Sequence, residues 1–191
     1  MSKPIIVIVE GAQGCGKSKV TTELREQIKC STLISETGVH DKTYKGEHKA
    51  ATYHNNIRNM ITQCRNLDMN FILCRSFLSE KVYCNLKYKP YTFNDYYKFF
   101  IDDLNRLGEF YDIYFVVLTC TEQDFKVRLN RDKVEYNPFT VNNSLNQQKE
   151  YIKELHKISK KYTNIKCIEI ENNTFKDTIS NILNIIKEET N

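Results

Sequence analysis

The sequence has little glycine and proline and no long apolar run. Six glycines and three prolines occur in 191 residues, and no Ser- or Gly-rich stretch divides the chain into two parts. The apolar segment "PIIVIV" at 4–9 is much shorter than a membrane span or the apolar region of a signal peptide, and no later run approaches such a length. We therefore expect one globular domain over residues 1–191 that does not enter a membrane.

Patterns typical of metal sites and disulfides are also missing. The seven cysteines form no C-x-x-C pair and no zinc-type spacing, and their odd number favours free thiols in a reducing compartment. The net charge of +4 is mild and dispersed, which suits a small anionic ligand and argues against nucleic-acid binding. We expect a cytoplasmic protein with a small-molecule partner. The sequence leaves the oligomeric state open, with a homodimer among the alternatives.

Short apolar runs rich in β-branched residues alternate with amphipathic helical patterns. The strand candidates are "IIVIVE" (5–10), "TLIS" (32–35), "NFILC" (70–74), "IYFVVLT" (113–119) and "IKCIEI" (165–170). Several of these runs are apolar almost throughout, as is typical of strands buried on both faces of a parallel sheet. The alternation predicts an α/β fold of three layers, in which a five-stranded, mostly parallel sheet carries helices on both faces.

The segment "GAQGCGKS" at 11–18 follows the first predicted strand and precedes a predicted helix. It satisfies the phosphate-loop pattern G-x-x-x-x-G-K-S/T in its required context. The glycines allow the backbone to curl so that successive N–H groups point at phosphate oxygens, and the helix adds its positive dipole end. The lysine is expected to reach the β- and γ-phosphates of ATP, and the serine hydroxyl to bind Mg²⁺. The predicted contacts come from Gly11, Gly14, Cys15, Gly16, Lys17 and Ser18.

Other features of the sequence exclude several classes of phosphate-loop protein. GTPases need an N-K-x-D segment that reads guanine, and this sequence has none. The chain is also short for a motor or transporter ATPase. These exclusions leave the small kinases, which pass the γ-phosphoryl group of ATP to a small acceptor.

Three further segments give the sequence a family resemblance. They are "SETG" at 35–38, "CRSFLSEKVY" at 74–83 and "RLNRDKVE" at 128–135. With the phosphate loop, they resemble the thymidylate kinase and deoxynucleoside kinase group of P-loop kinases. The segment at 35–38 lies where those enzymes place a Glu-Pro or an Arg-Glu-Pro-Gly-Gly. The segment at 74–83 resembles their Glu-Arg-Ser or Asp-Arg-Ser stretch, and the one at 128–135 resembles their arginine-rich lid.

The resemblance implies substrate contacts for five residues. Glu36 would be the base for the 5′-hydroxyl of a nucleoside, and Arg75 would contact the acceptor near the transfer point. Glu80 and Glu135 match acidic positions near the base and the sugar. Tyr53 lies in "AATYHNNIR" at 50–58, which resembles the helix that binds the substrate phosphate in thymidylate kinases.

The segment at 128–135 also has the composition of a mobile cover. Arg128 and Arg131 recur one turn apart and precede the irregular stretch "VEYNPFTVNN". We expect a short lid at approximately 128–142 that closes these two arginines onto ATP, because phosphoryl transfer spreads negative charge over the moving oxygens. A solvent-exposed helix end is the alternative interpretation of the same pattern.

Two departures from the family pattern leave more than one function possible. Cys74 replaces the carboxylate expected before Arg75, and a neutral thiol is a poor ligand for Mg²⁺. The helix arginine of thymidylate kinases appears here as Tyr53 or His54, with Arg58 one turn further along. We predict ATP-dependent phosphoryl transfer to a nucleoside or a nucleoside monophosphate. The alternative is a nucleotide-binding protein whose kinase activity is weak or lost because of Cys74.

Overall fold

The computed structural model describes residues 3–35, 43–131 and 140–190, with side chains except at 131, 189 and 190. Within these ranges, strands and helices alternate as the sequence predicts. The strands are β1 (Ile5–Gly11), β2 (Ser31–Ser35), β3 (Asn70–Cys74), β4 (Asp112–Thr119) and β5 (Ile165–Glu171). The helices are α1 (Lys17–Gln27), α2 (Gly46–Gln63), α3 (Phe77–Asn85), α4 (Asn94–Leu107), α5 (Glu122–Arg131), α6 (Val141–Lys161) and α7 (Phe175–Thr190).

The five strands form one sheet in the order β2-β3-β1-β4-β5. Every pairing is parallel, with Val9 of β1 opposite Cys74 of β3 and Gly11 opposite Leu118 of β4. β1 and β4 are apolar and almost wholly buried, because helices cover both of their faces. The predicted α/β fold is therefore confirmed, with an entirely parallel sheet where a mostly parallel one was expected.

Two hydrophobic cores lie on opposite faces of this sheet. The face that we call the α1 face packs Val7 and Val116 against α1, α5 and α7, through side chains such as Leu24, Phe125 and Ile182. The opposite face, which we call the α3 face, packs alternate strand residues against α2, α3, α4 and α6. Because side chains alternate along a strand, neighbouring residues of β1 and β3 point to different cores.

The parallel arrangement brings the ends of β1, β3 and β4 to the same edge of the sheet. β1 is the central strand, so the segment after Gly11 is flanked by the residues that follow Cys74 and Thr119. This carboxyl edge is where open α/β sheets bind ligands. The described helices include none that is long and apolar enough to cross a membrane.

Candidate active site

The loop between β1 and α1 has the backbone that the phosphate-loop pattern requires. Gly11, Gly14 and Gly16 have φ values of 140°, 83° and 92°, which residues other than glycine rarely adopt. A Cβ atom at Gly11 would lie 2.5 Å from the carbonyl oxygen of Leu118, and one at Gly16 would lie 2.7 Å from Nδ2 of Asn172. The glycines are thus needed both for the turn and for the close approach of neighbouring chain.

Lys17 is the first residue of α1, and its side chain is buried in the loop. Its Nζ donates hydrogen bonds to the carbonyl oxygens of Gly11, at 2.7 Å, and Ala12, at 2.8 Å. Among the described residues, no side chain caps the N-terminus of α1, and its first turn holds no acidic residue. The loop therefore combines an ammonium group with a positive helix end, which fits a phosphate group.

Ser18 lies beside the end of β3, as the strand order requires. Its Oγ is 3.8 Å from Sγ of Cys74, and Cys74 is only 3% exposed. A carboxylate at position 74 would thus be close to the serine expected to bind Mg²⁺, whereas the thiol offers a soft and neutral ligand. In the described part of the chain, no group of three or more Asp, Glu, His or Cys side chains could hold a metal ion.

Arg75 follows β3 in a constrained conformation. Its φ is 76°, and its backbone N–H donates to the carbonyl oxygen of Val9 at 3.0 Å. A residue with a side chain keeps this left-handed conformation only where its surroundings hold it there. Burial opposes the charged guanidinium, but the electrostatic effects of Tyr83, Tyr151, Cys74 and Glu10 outweigh it and raise the pKa of Arg75.

Glu10 is a residue of this edge that the sequence analysis missed. It is 0% exposed, and its Oε1 and Oε2 accept hydrogen bonds from the hydroxyls of Ser76 and Ser79, each at 2.7 Å. The available signal was its position, since a single charge ends the apolar run "IIVIV" directly before the phosphate loop. Buried carboxylates need such hydrogen bonds to offset their lost hydration.

Arg128 of α5 contacts the phosphate loop from the β5 side. Its guanidinium donates to the carbonyl oxygens of Cys15, at 3.3 Å, and Asn172, at 2.5 Å, and Asp124 is 3.7 Å away. The Asn172 side chain also donates to the Cys15 oxygen at 2.7 Å. The structure thus brings Arg128 to the loop, and it adds Asn172, for which the sequence analysis found no signal.

The remaining predicted substrate residues are spread over the α3 face. Glu80 is 2% exposed and accepts hydrogen bonds of 2.5 Å from Lys89 and Tyr91. Tyr53 is half-buried and lies edge-on to His54, with ring centroids 5.4 Å apart. His54 itself is buried among aromatic rings, which fits a core residue. Substrate contacts by Glu80 and Tyr53 stay predictions.

Arg58, the candidate replacement for the missing helix arginine, is bound to a carboxylate. Its Nε and NH2 both donate to Asp103 of α4, the second at 3.1 Å, and Arg106 donates to the same carboxylate at 2.8 Å. Burial would raise the pKa of Asp103, but the hydrogen bonds from the two arginines outweigh it and hold that pKa below its ordinary value. Arg58 is therefore already paired in this structure.

Three predicted site residues lie wholly or partly outside the described part of the chain. Glu36 and Glu135 are outside the described residues, as is most of the proposed lid. Arg131 ends α5, and its side chain is outside the described atoms. The roles given to these residues stay predictions.

Known structures resemble this arrangement closely enough to define the fold. A deoxyadenosine kinase from M. mycoides with products dCMP and a flexible dCDP bound gives a TM-score of 0.63 at 16% identity, over 96% of this chain and 100% of that chain. The same enzyme with bound dATP gives 0.61 at 17% identity, over 96% and 99%. The thymidylate kinase from Candida albicans gives 0.69 at 13% identity, over 99% and 93%.

This chain has the P-loop kinase fold. The resemblance to deoxynucleoside and thymidylate kinases that four short segments indicated is thereby confirmed for the fold across nearly the whole chain. Comparisons with protein-family models and with curated proteins gave no match. At identities of 13–17% the similarity does not extend to a particular substrate or reaction, which must be argued from the site.

Proposed function

We propose that the protein is an ATP-dependent kinase that phosphorylates a nucleoside. One observation supports this function above the others: the phosphate loop and Arg75 lie side by side at the carboxyl edge of the sheet. The Arg75 backbone is hydrogen-bonded to Val9, two residues before the loop begins. A cation fixed next to a phosphate loop can stabilise the charge that develops on a phosphoryl group during transfer.

Each part of the site has one task in this proposal. The loop amides and Lys17 hold the β- and γ-phosphates of ATP, and Arg128 and Arg131 hold the donor from the lid side. Ser18 would bind Mg²⁺, which offsets the negative charge of the phosphates when it is present. Glu36 takes the proton of the acceptor hydroxyl as the new P–O bond forms and the bond from the γ-phosphorus to its bridging oxygen breaks.

The Arg58–Asp103 pair favours a nucleoside over a nucleoside monophosphate. A monophosphate acceptor brings two negative charges and needs a cation to receive them. α2, all of whose residues are described, contains Arg58 as its single arginine, and the guanidinium of Arg58 already donates to Asp103. Glu135 and Glu80 would then contact the sugar and base of the nucleoside. The nucleotides bound in similar structures, dATP or dCMP and dCDP, support a small molecule that contains a nucleoside as the partner.

An acceptor panel tests the proposal directly. Purified protein is incubated with Mg²⁺ and radiolabelled ATP, together with each common nucleoside, deoxynucleoside and nucleoside monophosphate in turn, and the products are separated and counted. We expect transfer to at least one nucleoside at rates well above those for the matching monophosphate. Transfer to monophosphates alone would contradict the proposed nucleoside acceptor, and no transfer to any acceptor would contradict the kinase proposal itself.

Cys74 is the observation that favours a second candidate, a nucleotide-binding protein without efficient transfer. The thiol lies 3.8 Å from Ser18, where a carboxylate would help to organise Mg²⁺. Such a protein would bind Mg-ATP with ordinary affinity and release unchanged ATP. Isothermal titration with ATP beside the acceptor panel separates this candidate from the kinase.

We also propose that the protein is cytoplasmic. All seven cysteines are free thiols, including the buried Cys15, Cys74 and Cys120 near the phosphate loop. Free thiols next to a working site are typical of proteins that stay in a reducing compartment.

A further inference from the structure

The buried carboxylate of Glu10 joins three parts of the molecule that are distant in sequence. Glu10 is the last residue of β1 before Gly11, and Ser76 and Ser79 belong to the N-terminal cap and first turn of α3. Each serine hydroxyl donates to a different oxygen of the carboxylate at 2.7 Å. The Ser79 hydroxyl is also 2.8 Å from the hydroxyl of Tyr151 on α6. One charge thus connects the phosphate-loop strand with α3 and α6.

The same contacts also constrain Arg75, which lies directly before Ser76. Consecutive residues of β1 hold consecutive residues after β3, since Val9 accepts from the Arg75 backbone and Glu10 accepts from the Ser76 hydroxyl. The Ser76 Oγ in turn accepts from the backbone N–H of Leu78 at 3.2 Å and so caps α3. Arg75, with its φ of 76°, is therefore constrained by two hydrogen bonds whose acceptors both belong to β1.

We propose that Glu10 is a positioning residue that, together with Val9, holds Arg75 at the carboxyl edge of the sheet beside the phosphate loop. This inference rests on the proposed kinase function, and it assigns to Glu10 no contact with the substrate. The carboxylate accepts from Ser76, which directly follows Arg75, and from Ser79 in the first turn of α3. Its electrostatic effect is among those that raise the pKa of Arg75, which supports this geometry.

Glu10→Gln is the variant that tests the role. The amide keeps the size of the side chain but brings an NH₂ donor to a site where Ser76 and Ser79 already donate, so at least one hydroxyl must turn away. We expect kcat to fall about 10- to 100-fold, because misplaced reacting groups cost that much, while the KM for ATP changes less than about threefold. Glu26→Gln on the exposed side of α1, where Glu26 pairs with Arg25, is the matched control.

A second measurement does not depend on catalysis. The ¹⁵N-edited NMR signal of the Arg75 Nε–H group, assigned by its loss in Arg75→Lys, reports the surroundings of this side chain. We expect the signal to shift or broaden in Glu10→Gln and in Ser79→Ala, while the P-loop amide signals still respond to ATP. Ser79→Ala removes one hydrogen-bond donor and leaves Glu10 intact. It therefore provides the same test if Glu10→Gln does not fold.

The outcomes separate this inference from the kinase proposal. An unchanged kcat and an unchanged Arg75 signal in folded Glu10→Gln would overturn the positioning role even if the wild type is an active kinase. A loss of ATP binding in step with kcat would also overturn it, because Glu10 would then support the phosphate loop itself. If the wild-type protein transferred phosphate to no acceptor, the kinase proposal would be wrong. The Arg75 NMR signal would still show whether Glu10 positions the arginine.

Discussion

The two faces of the sheet differ in charge at the point where the phosphate loop begins. On the α1 face, β3 ends in the neutral Cys74, 3.8 Å from Ser18. On the α3 face, the last side chain of β1 before Gly11 is the buried Glu10, whose carboxylate accepts hydrogen bonds from two serine hydroxyls. The site thus has a carboxylate next to the loop, but on the face that positions Arg75 and not on the face where Ser18 would bind a metal ion. A motif search that only asks whether an acidic residue is near the loop would miss this difference.

The largest expected effect comes from removing the cation on the α1 face. Lys17→Ala should lower turnover roughly 100- to 1000-fold, since Lys17 is the buried ammonium group of the loop and each fixed group that stabilises transition-state charge contributes this much. Steady-state kinetics with Mg-ATP and the preferred nucleoside measure the effect.

Lys19→Ala is the control for that variant. Lys19 is two residues away on α1, exposed, and stacks over the ring of Phe175 at 4.2 Å. Its removal should change turnover less than about threefold, as for other exposed surface charges. Equal losses in both variants would mean that the loop does not depend on Lys17 in particular.

Adding the missing charge to the α1 face should have a smaller and opposite effect. Cys74→Asp is expected to raise kcat roughly tenfold at saturating Mg²⁺, equivalent to about 1.4 kcal/mol of transition-state stabilisation, because a carboxylate is a better partner for the ion and its waters. The assay is turnover as a function of Mg²⁺ concentration.

Cys74→Asn separates charge from shape in this experiment. Asparagine matches aspartate in size but adds no negative charge, so it should give no increase. A similar gain in both variants, or a loss with aspartate, would show that the α1 face works without a carboxylate at position 74.

The smallest expected effect concerns a second buried carboxylate on the α3 face, Asp103. Its pKa is lowered in the folded protein, so the ionised form stabilises the fold at pH values above the ordinary pKa of an aspartate, and this contribution disappears as the pH falls through the lowered pKa. Asp103→Asn should cost about 1 to 3 kcal/mol of the free energy of unfolding near pH 7 and little at the lowest pH.

Urea unfolding at several pH values measures this contribution. Asp68→Asn, at an exposed turn with a φ of 48° that asparagine tolerates well, is the control and should change little. A pH-independent loss in Asp103→Asn would indicate that packing, and not the charge paired with Arg58, stabilises this contact.

The sequence predicted the positions of the strands well, but it did not predict the polar contacts between residues that are distant in sequence. The five strands agree with the predicted ranges within one residue at each end, because strands buried on both faces are apolar runs that end where the chain leaves the sheet. The partners of Glu10 lie 66 and 69 residues away, and Asp103 lies 45 residues from Arg58. Such contacts depend on the order of the strands and on which face each residue meets, and no local pattern contains this information.

The central position of β1 has a consequence for how the molecule forms during synthesis. β1 is made first, but it pairs with β3 and β4, and Gly11 lies opposite Leu118 in the register. Contacts between residues so far apart in sequence must wait until the later segment has left the ribosome. More than half of this chain is therefore translated before the loop after β1 has β4 beside it, so the loop reaches its final surroundings late in synthesis.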